Sequence, residues 1–257
     1  MPFGSCKPRF ATWSLPSACL LVFLSAGCAL HNPYPAGSYE RAATFRENGK
    51  HREAVDAYAA FLRRSPTDSL AVQAQFEKAM SYMAEKEYPL ATVELQILRQ
   101  EYPTSDLVER AVFEEARAYL LQVGRTERDI TPAYDARLRF LAFLDTYPAS
   151  SLKADVDDYL VEISDIIVRK RLSQLDVYER LGKREAVAIT LDRLITQETA
   201  SSLRGDVMLR RSRLALDLDD AETARDLCGR IATEYPGSEA AARATDLLDD
   251  LPPANGP

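Results

Sequence analysis

YPLATVELQILRQEYPTS, residues Tyr88 to Ser105, is the stretch whose reading decides the fold. Ala91, Leu95 and Leu98 stand at i, i+4 and i+7, one apolar stripe of an α-helix. Tyr102-Pro103 stops that helix, because proline disfavours helical backbone in the residue before it. Thr104 or Ser105 then offers a side-chain oxygen to cap the next helix. The same order returns as Ala54, Tyr58, Phe61, Ser65-Pro66-Thr67, as Ala136, Phe140, Phe143, Tyr147-Pro148-Ala149-Ser150, and as Ala224, Cys228, Ile231, Tyr235-Pro236-Gly237-Ser238. In all four the small residue precedes the proline by twelve positions. A fifth, degenerate copy runs Val187, Leu191, Leu194 to Thr199-Ala200-Ser201 without the proline. The chain is built from repeats.

Counting back from each proline exposes the other half of the unit. The first repeat has Ala42, Phe45, Gly49, Ala54 and Pro66; the second has Ala79, Tyr82, Ala91 and Pro103. These offsets match the tetratricopeptide pattern of helix, turn and helix, with small residues where two helices cross and an aromatic one turn later. Small side chains let helix axes approach while large ones fill the groove between them. The expected fold is all-α: a right-handed α-solenoid of about five tetratricopeptide-like repeats over residues 38–250. Prolines 66 and 103 are 37 apart, but 103 and 148 are 45 apart. The surplus falls between Tyr119 and Ala136, at the loop Arg125 to Pro132, which contains Glu127, Arg128 and Asp129. Inserts in solenoids project from one face and are candidate partner contacts, with a tolerated surface loop as the plain alternative. Leu152 to Leu181 contains no proline or glycine, so it should form one long helix or two nearly collinear ones, ended by Gly182. Residues 251–257 read as a disordered tail.

Of the 257 residues 46% are apolar, enough for a packed core, and the net charge is −7. No basic cluster stands out, which argues against nucleic acid as a partner. The first 27 residues read as a signal peptide: Lys7 and Arg9 are its charged start, and Ala11 to Leu24 its apolar stretch. Leu24-Ser25-Ala26-Gly27-Cys28 resembles the lipobox of bacterial lipoproteins, with Ser25 where Leu, Val or Ile is usual. The resemblance implies diacylglycerol on Cys28, cleavage before it and a lipidated tether over residues 28–37. Ala29 in place of an aspartate implies the periplasmic face of the outer membrane. An ordinary secretory signal cut elsewhere is the competing reading. Cys228, left alone after export, reads as a small core residue.

Little points to chemistry. His31 and His51 are the only histidines and neither has a cysteine or carboxylate at ligand spacing, so no metal or other cofactor is expected. Asp217, Asp219 and Asp220 lack the glycine of a calcium loop and suit a polar turn. Glu114-Glu115 and Asp157-Asp158 are expected on solvated helix faces. No nucleophile or acid–base set can be assembled, and an enzyme is not expected. One recurrence stands out: Tyr39, Phe76 and Phe113 lie at intervals of 37 on the first helices of repeats one to three. Arg46, Gln73, Met80, Met83, Arg110 and Arg117 fall beside them. On first helices, which line the concave surface of such folds, this set would form a groove for an extended peptide, each ring partly exposed. Packing between repeats is the alternative.

Export with five such repeats resembles the BamD (ComL-type) lipoproteins of the outer-membrane β-barrel assembly machinery. The resemblance covers residues 38 to 250. It rests on Tyr88-Pro89-Leu90-Ala91 with the Tyr102-Pro103 stop, Glu127-Arg128-Asp129, Tyr147-Pro148-Ala149-Ser150-Ser151, and a long helix ending near Tyr178 and Gly182. It departs at the fourth stop, Glu198-Thr199, and along Leu172 to Glu179. The implied function is a non-catalytic adaptor. Its N-terminal repeats would receive unfolded outer-membrane proteins, and its C-terminal repeats would dock on the POTRA region of a BamA-like barrel protein beside other assembly lipoproteins. A tetratricopeptide cell-envelope scaffold lipoprotein binding other periplasmic proteins is the alternative.

Overall fold

Each Tyr-Pro stop ends a helix in the computed structural model, which describes residues 32–124 and 129–250. A compact unit beginning at Tyr34 holds eleven α-helices and no strand among the described residues. In order they are α1 Tyr39–Glu47, α2 His51–Arg64, α3 Ala71–Ala84, α4 Tyr88–Glu101, α5 Leu107–Leu121 and α6 Thr131–Thr146, followed by α7 Lys153–Arg180, α8 Arg184–Gln197, α9 Arg204–Leu216, α10 Ala221–Glu234 and α11 Glu239–Asp249. Every helix packs on the next in sequence, and α3 also touches α5, as α9 touches α11. The result is an α-solenoid of five helix pairs closed by α11. Leu152 to Leu181 forms the single long helix α7, and Gly182, at φ +69°, turns the chain out of it. No described helix is long and apolar enough to cross a membrane.

The stops share one backbone conformation. Ser65, Tyr102, Tyr147 and Tyr235, each before a proline, have φ between −125° and −136° and ψ between 52° and 62°, outside the helical region. Three residues further on, a polar side chain restarts the chain. Asp68, Ser105, Ser150 and Ser201 accept hydrogen bonds from the backbone N–H of Leu70, Leu107, Leu152 and Leu203, and Ser238 accepts from Ala241. These bonds satisfy donors that a helix start leaves without an intrahelical partner.

Small residues set the crossing points. Ala54, Ala91, Ala136, Val187 and Ala224 all have no exposed surface, as do Ala42, Ala79 and Ala116 on the first helices. Leu95, Leu98, Phe140, Phe143, Leu191 and Ile231 then fill the space that the close approach leaves, each worth about 1.5–3 kcal/mol on burial. Cys228 lies in the same row, buried and unpaired, and burial raises its thiol pKa. The long helix belongs to two cores. Val156, Ile163, Ile166 and Ile167 pack with Phe113, Phe140 and Phe143, while Val168 and Leu175 pack with Val187, Leu191 and Met208.

At the fourth stop, hydrogen bonds and an ion pair stand where the other repeats have a proline after serine or tyrosine. Glu198 is buried and receives Arg137 of α6 at 2.5 Å. Asp165 of α7 accepts from Ser201 Oγ at 2.6 Å, Ser202 N at 2.8 Å and Ser202 Oγ at 2.6 Å. Burial alone would raise the Asp165 pKa, but these three donors outweigh it and hold the carboxyl below its ordinary 3.8. A depressed folded pKa gives stability that is present above the unfolded value and lost as pH falls through the folded one. Asp165→Asn should therefore lower the urea midpoint at pH 7. The difference from wild type should shrink as pH drops below 3.8. A pH-independent difference would assign the effect to packing alone.

Candidate functional site

The first helices α1, α3 and α5 repeat on a 37-residue spacing, so residues at equal offsets fall on equivalent faces. Tyr39 is half-buried and meets Tyr58 and Phe61 edge-on, with ring centroids 5.7 and 5.8 Å apart. Phe76 is half-buried against the cluster of Ala79, Leu95 and Leu98, and Met80 against that of Met83, Ala91 and Ala118. These three keep part of their surface free.

Two members of the expected groove do not. Phe113 is only 4% exposed, because Phe140, Phe143 and Tyr159 enclose it with centroids 6.0 Å away. The start of α7 supplies Tyr159, so the third repeat has an aromatic neighbour there; this ring is core, not groove. Met83 is 7% exposed and fills the crossing between Ala91 and Ala118.

The arginines expected beside the rings are engaged in ion pairs. Arg110 and Arg117 both close on Glu114, Arg110 through Nε at 2.9 Å and Nη2 at 2.7 Å. Arg46 pairs with Glu77 at 3.1 Å, and Gln73 donates to the same carboxylate at 2.8 Å. Glu114 and Glu115 are not on a solvated face: they are 0% and 4% exposed. Glu115 receives Gln96 at 3.0 Å, Arg99 at 2.6 Å and Arg139 at 3.5 Å, joining α4, α5 and α6. Burying a carboxylate without partners is costly, and the surrounding guanidinium groups offset that cost. Asp157 and Asp158 are exposed, as expected. Sequence reasoning missed Glu77 and Glu114 as organisers of this face, although Glu40, Glu77 and Glu114 recur at the same 37-residue interval as the rings.

Elsewhere, Asp219 holds φ +59° in the turn before α10 and Asp220 caps that helix, accepting from Thr223 N at 3.0 Å. Among the described residues no group of histidine, cysteine and carboxylates could hold a metal. Asp129 is exposed, and its carboxylate accepts from Thr131 N at 2.9 Å, a bond that lowers its pKa. Its neighbours Glu127 and Arg128 lie outside the described residues, as do Cys28 and the whole signal segment.

A tetratricopeptide-like solenoid of stacked helix pairs has the build of a protein-interaction scaffold. The family model for YfiO, described as an outer membrane lipoprotein, matches residues 32–203, and a tetratricopeptide-repeat model matches residues 206–238. The first match spans α1 to α8 and the second α9 and α10. The chain belongs to the YfiO family, the BamD-like outer membrane lipoproteins. No curated protein matches it.

The burial difference among the three rings is testable. Phe113→Ala should cost about 3–5 kcal/mol in urea unfolding, as a core phenylalanine does. Phe76→Ala, with less surface to lose, should cost clearly less in the same titration. Equal losses would mean that the two rings share one environment.

Proposed function

We propose that the chain is a ComL-type, non-catalytic adaptor of the outer-membrane β-barrel assembly machinery. In this reading Cys28 carries the lipid that holds it at the periplasmic face of the outer membrane. Tyr39, Phe76 and Met80, with Gln73 and Arg46 at their edge, take apolar side chains of unfolded outer-membrane proteins. Arg110 and Arg117 act here by holding Glu114 and stiffening the face. The C-terminal repeats dock on the POTRA region of a BamA-like barrel protein. The loop Glu127, Arg128 and Asp129 is a further contact for a partner of the machinery.

The observation that carries this reading is the family match across the first four repeats. The face geometry supports it: aromatic rings and a flexible methionine tolerate varied sequences, which suits unfolded clients. The C-terminal half offers a second seat, a cleft of about 500 Å³ between α6, α7 and α8 lined by Arg137, Arg171 and Arg193. Arg137 is bound by Glu198, whereas Arg171 and Arg193 are exposed.

The test is purification of the tagged chain from detergent-extracted outer membranes. A POTRA-bearing barrel protein should co-purify, and Cys28→Ser should move the chain into the soluble periplasmic fraction. Phe76→Ala should weaken capture of a labelled unfolded barrel-protein segment while the complex with the barrel protein persists. Other envelope proteins co-purifying with no POTRA-bearing partner would replace this reading with that of a general cell-envelope scaffold.

A further inference from the structure

The segment that leads into α1 is pinned to the first repeat. Ser38 N donates to Pro35 O at 3.2 Å, and Gly37 stands at φ +79°. This is a type II turn, with glycine at the position that requires positive φ. A side chain there would also meet Arg64, whose Cδ lies 3.4 Å from the place a Cβ would take. Two arginines, one from each helix of the repeat, then hold the turn by its backbone. Arg41 of α1 donates to Tyr34 O at 2.9 Å, and Arg64 of α2 donates to Ala36 O at 3.2 Å. Both bonds end on neutral carbonyls. Arg63, next to Arg64, is exposed and has no ion pair among the described residues, and Tyr34 leaves 42% of its surface in water.

Covalent reach decides which part of the repeat a lipid on Cys28 can bring to a membrane. Cys28 precedes Tyr34 by six residues, and a chain spans at most about 3.6 Å per residue, so the leash is no longer than roughly 20 Å. Were the turn free, the first fixed residue would be Tyr39, eleven residues on, and the reach would double to about 40 Å. The 14 residues of α2 make that helix about 20 Å long. The pinned turn lies at the start of α1 and the end of α2, and the turn at Asn48 lies one helix length away. With the short leash, the near end can rest on the bilayer without stretching the chain. The far end could do so only near full extension, which chain entropy opposes.

We propose that residues 34–38 are a strap that seats this end of repeat one on the lipid headgroup layer, with Arg63 and Arg64 at the phosphates and Tyr34 at the interface. The inference rests on the lipid proposed for Cys28. Guanidinium groups match phosphate geometry, and a tyrosine, apolar in its ring and polar at its tip, suits the boundary between headgroups and water. Arg41, Arg63 and Arg64 outnumber Glu40 and Asp68, the acids of the same two helix ends. This end is therefore cationic, although the chain as a whole carries −7. Arg41 and Arg64 are positioning residues here, acting through the turn they hold.

The test uses the full chain extracted from membranes, with the acyl chains on Cys28 established by mass spectrometry. It is returned to vesicles of phosphatidylethanolamine and phosphatidylglycerol in which some headgroups carry a nitroxide quencher. A maleimide fluorophore is placed through Thr67→Cys, just past the end of α2, or through Asn48→Cys, at the far turn; both positions are exposed, whereas Cys228 is buried. The dye at position 67 should be quenched at least about threefold more than the dye at 48, because the two ends are a helix length apart. Gly37→Ala, which keeps every charge, and Arg41→Gln with Arg64→Gln should each bring the two values together. Both variants should still float with the vesicles, and thermal melts should show them folded. Arg63→Gln should weaken quenching at 67 and its dependence on salt. With lipid present on Cys28, equal quenching at the two positions, or quenching indifferent to Gly37→Ala and to the double variant, overturns the strap and leaves the anchor standing. Absence of lipid on Cys28 overturns both. Quenching at 67 that requires a co-purified protein assigns this end to that protein and likewise overturns the proposal.

Discussion

Close approach of paired helices at a side chain no larger than alanine or valine is the contact on which the structure depends. Ala54, Ala91, Ala136, Val187 and Ala224 are sealed from solvent at the five crossings. A larger side chain there would separate the helices and empty the space that Leu95, Phe140 or Ile231 now fills. The stops and caps follow from it. If the crossing lies eleven residues before the stop residue in every unit, the helix must end at the same place each time, whether by proline or otherwise. The fourth repeat shows the substitution at work. It has no proline, yet Glu198 adopts φ −103° and ψ 52°, close to the other stops, held by Arg137 of the preceding repeat.

Neighbouring repeats are coupled by more than apolar contact. Glu115 ties α4, α5 and α6 together, and Arg137 reaches across α7 to the end of α8. Helix α7 is the main coupling element, since one half of it completes the core of repeat three and the other begins that of repeat four. Solenoids usually divide into units that contact only their neighbours; here a single rigid helix is shared between two such units. The first-helix face and the cleft between α6, α7 and α8 thereby belong to one connected frame.

The fold was legible in the sequence because its signals are local and repeated. A small residue, two apolar positions and a proline at constant spacing leave few alternatives, and Leu152 to Leu181 lacks any residue that would break a helix. The site was legible only in part. Spacing places Tyr39, Phe76 and Phe113 at equivalent positions, but exposure depends on what packs above each ring, and Tyr159 arrives from 46 residues beyond Phe113. Glu114 and Glu115 mislead for a related reason. Adjacent carboxylates usually mean water, and their burial is possible only because Arg99, Arg110, Arg117 and Arg139 converge from three helices. That convergence is a property of the packed solenoid.

The claim that α7 joins two otherwise separate packing units is tested most directly by native-state hydrogen exchange. The measurement compares the full chain with Ile167→Ala, at the point where the two cores meet, and with Ala91→Leu, within repeat two. Ile167→Ala should lower amide protection on both sides, in α5 and α6 and in α8 and α9, whereas Ala91→Leu should lower it in α3 to α5 and leave α9 to α11 as in wild type. Loss of protection confined to one side of α7 for Ile167→Ala, or spread evenly over all eleven helices for both variants, would contradict the account.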